Sequence, residues 1–127
     1  MMTQKLLIVG AGGFGREVHA WLSDWVRLNS GWSIAGFIND DSGSVSRFDH
    51  YPDVVSSIDD YVPQPDEHLV CASGKPADKR KVVEALQARG ARFFTLVHPT
   101  AVIGENVSIG EGTVICPLSI LSVDLQV

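Results

Sequence analysis

The apolar positions of this chain change period twice, and each change predicts a different kind of structure. Lys5 to Val9 is a short continuous apolar run closed by glycines, which predicts a buried strand. Val18, Trp21, Leu22, Trp25 and Leu28 then recur at helical spacing, with Arg16, Glu17, Asp24 and Arg27 on much of the remaining surface. This predicts an amphipathic helix ended by Asn29-Ser30-Gly31, with both tryptophans in the core. Ser33 to Ile38 predicts a second strand, closed by Asn39-Asp40-Asp41. Ser42 to Glu67 is polar and punctuated by Pro52, Pro63 and Pro65, with a short helix expected over Val54 to Val62. Leu69 to Ala72 predicts a third strand. Pro76 suits the first turn of a helix running through Val82, Val83 and Leu86 to Gly90, and Phe93 to Val97 predicts a fourth strand. Strands alternating with helices over residues 1–96 predict a small α/β domain on a parallel sheet, entered by a right-handed crossover.

From Val97 onward the period becomes six. Val97, Ile103, Ile109, Ile115, Leu121 and Val127 are evenly spaced. Ala101, Val107, Thr113, Ser119 and Leu125 each stand four residues after one of the first five, and Gly104 and Gly110 directly follow their aliphatic residue. Neither a helix nor a simple strand has that period. It predicts a coil of short strands and tight turns, each side sending one aliphatic residue inward to stack on the next coil. Residues 97–127 therefore form a second unit, with five consecutive repeats as its signature.

The length of 127 residues suits one ordinary domain and not two full-sized ones. A net charge of −5 argues against a general nucleic-acid binder, which needs a basic face. The acidic run Asp40, Asp41, Asp49, Asp53, Asp59, Asp60, Asp66 and Glu67 reads as a solvated, loop-rich surface. Cys71 and Cys116 lie in apolar stretches and read as reduced, buried thiols. The apolar run before Gly10 is too short for a signal sequence or a membrane span, so a cytoplasmic protein that does not engage membranes is expected.

Gly10-Ala11-Gly12-Gly13-Phe14-Gly15 matches G-x-G-x-x-G between a strand and a helix. In that context Gly10 serves the tight turn, Gly12 lets backbone approach a phosphate, and Gly15 lets helix and strand pack closely. The following helix start offers unpaired N–H groups and the positive end of its dipole. Asn39 and Asp40 close the next strand on the same edge, where they can accept hydrogen bonds from a ribose or a base. Ser73-Gly74-Lys75 closes the third strand there, with Lys75 a candidate phosphate partner. His19, His50, His68 and His98 have no metal-ligand spacing, no G-x-S-x-G elbow exists, and none of the four is assigned a catalytic role.

The glycine loop, the Gly36-Phe37-Ile38-Asn39-Asp40-Asp41 strand end, Ala72-Ser73-Gly74-Lys75-Pro76 and the run Val97-His98-Pro99-Thr100-Ala101-Val102-Ile103-Gly104 together resemble one family. It is the group of sialic acid O-acetyltransferases and bacillosamine-type nucleotide-sugar N-acetyltransferases, and the resemblance covers essentially the whole chain. It implies a Rossmann-like domain for a UDP- or dTDP-linked sugar (or a free sugar) followed by a left-handed β-helix. It further implies acetyl-CoA as co-substrate, a homotrimer, and a β-helix histidine as general base. Such a base takes the proton of the sugar amine or hydroxyl as it attacks the thioester.

Two departures stand out: Phe14 replaces a histidine found in many relatives, and Asn39 replaces an aspartate. No histidine follows His98, and at roughly three six-residue units per coil the repeats make less than two coils. The expected base therefore lies beyond Val127. The expectation is a chain that keeps the nucleotide-sugar domain, is catalytically incomplete and binds acetyl-CoA weakly. Its last segment, Ile115 to Val127, is expected to be frayed or covered by a neighbour. Two alternatives stand beside this reading: an NAD(P)-binding domain of an oxidoreductase, and a non-catalytic β-helix module for assembly.

Overall fold

The structure is a computed structural model that describes residues 3–73 and 75–127. At its centre lies β1 (Gln4–Val9), paired in parallel with β2 (Trp32–Ile38) on one side and β4 (Glu67–Cys71) on the other. A short β3 (Val54–Ser56) adds to the edge of β2, so the sheet order is β3-β2-β1-β4, all parallel. Alternate residues of β1 feed two cores. Leu6 and Ile8 join Val18, Leu22, Phe37 and Leu96, while Leu7 and Val9 join Ile38, Leu69, Leu86 and Phe93. Both faces of β1 are therefore covered, which is why its sequence is continuously apolar instead of alternating.

The first core is roofed by α1 (Gly13–Arg27), the second by α2 (Pro76–Ala88). Val18 and Leu22 are fully buried on α1, and each contributes about 1.5–3 kcal/mol relative to exposure. Trp25 packs edge-on to Trp32 and Phe94, as a core residue does. Leu28, expected on the same stripe, is instead 70% exposed. The last turn tightens there: the Leu28 N–H donates to the carbonyl of Trp25, and Asn29 Nδ2 donates to the same oxygen. That swings Leu28 off the buried face. Pro76 opens α2 as expected.

Two other expectations are corrected. Residues 54–62 are not a helix: Val54–Ser56 pairs with Phe37 and Ile38, and turns follow. The β-branched pair Val54-Val55 favours extended backbone. Gly36 admits the edge strand closely, since a Cβ there would stand 2.7 Å from the Asp53 carbonyl oxygen. Arg89 then holds the turns by donating to the carbonyls of Ile58, Asp59 and Tyr61. Phe93 to Val97 is likewise not one strand. Phe93 forms a single bridge to Leu69, whereas β5 (Leu96–Val97) leaves the sheet and pairs with β7 (Val114–Ile115). β5 thus straddles the expected junction at residue 96.

The rest of the chain is a coil with three sides. Leu96 pairs with Val114, Val102 with Ile120 and Ser108 with Gln126, each in parallel and eighteen residues apart (114−96 = 120−102 = 126−108). The middle pair consists of β6 (Val102–Ile103) and β8 (Ile120–Leu121). Corners recur every six residues, where Asn106, Gly112, Leu118 and Asp124 have positive φ. Three of these four are residue types that tolerate that conformation. Asn106 Nδ2 also donates to Asp124 Oδ1 at 2.8 Å, one corner above the other. The stretch from Ile115 to Val127 is tied to the preceding layer by backbone hydrogen bonds. Val127 N–H donates to Ser108 O and Gly110 N–H to Val127 O, both at 2.8 Å.

Candidate functional site

The chain visits β1, β2 and β3 outward on one side, then returns to place β4 on the other side of β1. The strand order therefore reverses between β1 and β4, and the crevice beyond their carboxyl ends is where open α/β sheets bind ligands. Gly10–Gly15 lies at that point. Gly10 N–H continues the ladder to Ile38 O, and Ala72 N–H donates to Val9 O at 2.8 Å. Both lips of the crevice are thus tied to β1.

Within the loop the glycines have different tasks. A Cβ on Gly15 would stand 2.1 Å from the Gly10 carbonyl oxygen, so the helix can start against the strand only with glycine there. Gly12 is the reverse case: it is exposed, and a Cβ there would meet nothing within 4 Å. It caps α1 with no side-chain hydrogen bond, and Gly13 and Phe14 follow as the first helical residues. The first N–H groups of α1 have no partner within the helix, which suits them to meet an anion.

Asn39 and Asp40 stand where expected but are engaged by the protein. Asn39 Oδ1 accepts from Ala11 N–H at 3.4 Å, while its Nδ2 donates to Asp41 O and Ser44 Oγ. An amide suits this position because it accepts from the glycine loop and donates to the segment after β2, which a carboxylate does not. Asp40 Oδ1 accepts from Ile58 N–H at 3.1 Å. Ser73 and Lys75 flank the opposite lip, with Lys75 exposed at the start of α2. Gly74 lies outside the described residues.

The structure adds residues that spacing did not indicate. A cleft of about 310 Å³ runs between α2 and the coil, and Phe14 of the glycine loop, Lys79 and Glu111 are among its lining residues. Lys79, one helical turn after Lys75, therefore shares a cavity with the loop. On the other side of α1, Arg16 and Arg47 both lie over the ring of Phe48. The period of α1 marks Arg16 only as non-core, and nothing local marks Arg47.

The four histidines are placed by packing. His98 is buried, its Nε2–H donating to Asp24 Oδ2 at 2.7 Å and its Nδ1 accepting from Thr100 N–H at 3.1 Å. It ties the coil entry to α1. His19 stacks with Phe37 and Tyr51, and burial, then the neighbouring His50, holds its pKa below the usual value. His68 contacts Gln4 and Trp32, and its pKa is lowered by burial, then by Arg92. Cys71 is buried, which pushes its thiol pKa up, while Cys116 is only half-buried.

Comparison with known proteins agrees with this layout. Residues 5–86 match the family described as the PglD N-terminal domain. The chain is 27% identical over 116 residues to a UDP-N-acetylbacillosamine N-acetyltransferase of Bacillus subtilis (strain 168), covering 88% of this chain and 51% of that protein. It thus spans about half the length of that relative. Among solved structures, the acetyltransferase domain of PglB from Neisseria gonorrhoeae FA1090 in complex with acetyl coenzyme A superposes with a TM-score of 0.72 at 25% identity, covering 98% of this chain and 62% of that one. PerB from Caulobacter crescentus, in complex with CoA and GDP-perosamine, gives a TM-score of 0.79 at 20% identity, covering 97% and 56%. The last likeness shows the fold alone. No helix among the described residues is long and apolar enough to cross a membrane. On the match over 5–86, which takes in the sheet, the glycine loop and most of α2, this chain belongs to the PglD N-terminal domain family.

Proposed function

We propose that this chain is the nucleotide-sugar-binding part of an acetyltransferase that moves an acetyl group from acetyl-CoA to a sugar amine. The observation that carries this reading is the open Gly12 at the strand-order reversal, within a family match that covers the whole site. In this reading residues 1–96 bind the nucleotide-sugar and 97–127 begin a left-handed β-helix. The diphosphate meets the backbone of Gly12, Gly13 and Phe14, with Gly10 and Gly15 shaping the loop. Ser73 and Lys75 form the opposite lip, and Asn39 and Asp40 set the wall toward the base. Acetyl-CoA supplies the thioester, and the sugar amine is the nucleophile. We assign the general base to no histidine of this chain: His98 has both ring nitrogens engaged, and His19 and His68 serve packing.

Oligomerisation as a homotrimer belongs to the same proposal. Val102 and Ile120 are paired on one outer side of the coil and are 58% and 74% exposed, with Leu118 at 79% beside them. A neighbouring coil would cover such a face.

Titration with UDP, a UDP-linked amino sugar, GDP and NAD tests the reading. Selective binding of the nucleoside diphosphates and their sugars is expected, and Gly12→Val should abolish it without unfolding the chain, because a Cβ at Gly12 meets nothing within 4 Å. Binding of NAD alone would overturn the proposal.

A further inference from the structure

The ring of Phe48 carries two positive charges. The guanidinium carbon of Arg16 lies 4.7 Å from its centroid and that of Arg47 lies 4.8 Å from it. Among the described residues neither arginine has a carboxylate within ion-pairing distance or a side-chain hydrogen bond, although Arg47 belongs to an acid-rich segment. Arg16 also stands in the first turn of α1, where the helix dipole disfavours a cation, and no acidic residue offsets it in that turn. Its guanidinium folds back toward the glycine loop, with Nη2 3.9 Å from the Cβ position of Gly13.

The segment that carries Arg47 and Phe48 is held down over α1. Val45 is buried, Asn39 bonds both the glycine loop and Ser44, and Tyr51 packs on His19 and Phe37. Two cations brought to one ring near the start of α1, with no protein carboxylate to compensate either, favour an anion close to them. Contact with the shared ring restrains both guanidinium groups, so less side-chain entropy is lost when an anion arrives.

From this geometry we infer that Arg16 and Arg47, stacked on Phe48, clamp the pyrophosphate of the nucleoside diphosphate, making the segment after β2 a strap over the glycine loop. The inference rests on the nucleotide-sugar reading for the identity of the ligand, not for its anionic chemistry. Inorganic pyrophosphate presents the same group without a base, which separates the two claims.

The test is calorimetric titration of the 127-residue chain with UDP, GDP, UMP and inorganic pyrophosphate, in wild type, Arg16→Gln, Arg47→Gln and Arg47→Lys, with a thermal melt of each. UDP and pyrophosphate should bind more tightly than UMP. Each glutamine variant should lose about tenfold in affinity for UDP and pyrophosphate, as removal of a charge-assisted bond does. Arg47→Lys should recover only part of this, because lysine keeps the charge but not the planar stack. Arg47 is exposed, so its variants fold even if Arg16→Gln does not. Unchanged UDP affinity in Arg47→Gln would overturn the clamp and leave the nucleotide-sugar reading standing. Arginine-dependent binding of pyrophosphate without any binding of UDP or GDP would uphold the clamp and overturn that reading. Failure of wild type to bind any of pyrophosphate, UDP and GDP would overturn both.

Discussion

The α/β unit and the coil obtain their order in different ways. In the α/β unit, one central strand feeds a core on each face, and Leu6, Ile8, Val18, Leu22, Phe37 and Val70 are completely buried. In the coil the strands are two residues long, and of the six aliphatic residues at the repeat position only Ile115 is buried. Ile103 is 38% exposed and Val127 48%. The α/β unit builds its core mainly from its own sheet and helices, with Leu96 and Val114 of the coil added to it, whereas each layer of the coil depends on the layer beside it. The lesson is that the first unit is a platform for the crevice, and the second is held by what it stacks on.

The largest effect that would break this contrast comes from adding one methyl group in each unit. A Cβ at Gly15 stands 2.1 Å from the Gly10 carbonyl oxygen, and one at Gly104 stands 1.5 Å from the Ser122 carbonyl oxygen. Gly15→Ala should cost about 3 kcal/mol and lower the melting of the whole chain, because it parts α1 from β1. Gly104→Ala should strip amide protection from residues 102–127 while β1 and β4 remain protected. Equal loss of protection in both units after Gly104→Ala would show that they fold as one.

The joint between the units comes next. Asp24→Ala leaves the buried His98 Nε2–H without its acceptor and should cost about 1–3 kcal/mol. Asp24 also pairs with Arg27, but that pair is exposed and contributes little. Asp24→Asn keeps an acceptor oxygen, so it should recover most of the stability in urea titration. If alanine and asparagine are equally harmful, the acceptor is not what holds the joint.

The smallest effect is that of pH, and it should fall on one unit. The pKa values of His19 and His68 are lowered in the folded protein, by burial first in each case, so the unfolded chain binds more protons just below the ordinary histidine range. Stability contributed by the neutral forms is therefore present at pH 7 and lost as pH falls toward 5. Both residues lie in the α/β unit, and His19→Gln should flatten the decline measured by urea unfolding at these two pH values. A profile unchanged by that substitution would remove His19 from the account.

Much of this molecule was legible one residue at a time. The continuous run Leu6 to Val9, the helical stripe of Val18, Trp21, Leu22 and Trp25, the glycine loop, Pro76 and the six-residue period are local patterns. The geometry of a strand, a helix or a repeat writes itself into spacing along the chain. The sequence alone therefore determined most of the elements, the change to a six-residue period and the crevice edge on which Gly12, Asn39, Ser73 and Lys75 fall. It did not determine partners. That Val54 extends the sheet while Leu96 leaves it, that Asn39 is spent on Ala11 and Ser44, that His98 reaches Asp24 and that Arg16 meets Arg47 on one ring are all facts of contact between distant residues. Only the tertiary structure decided them, because which neighbour fills the space beside a side chain is set by how elements pack and leaves no periodic mark in the chain.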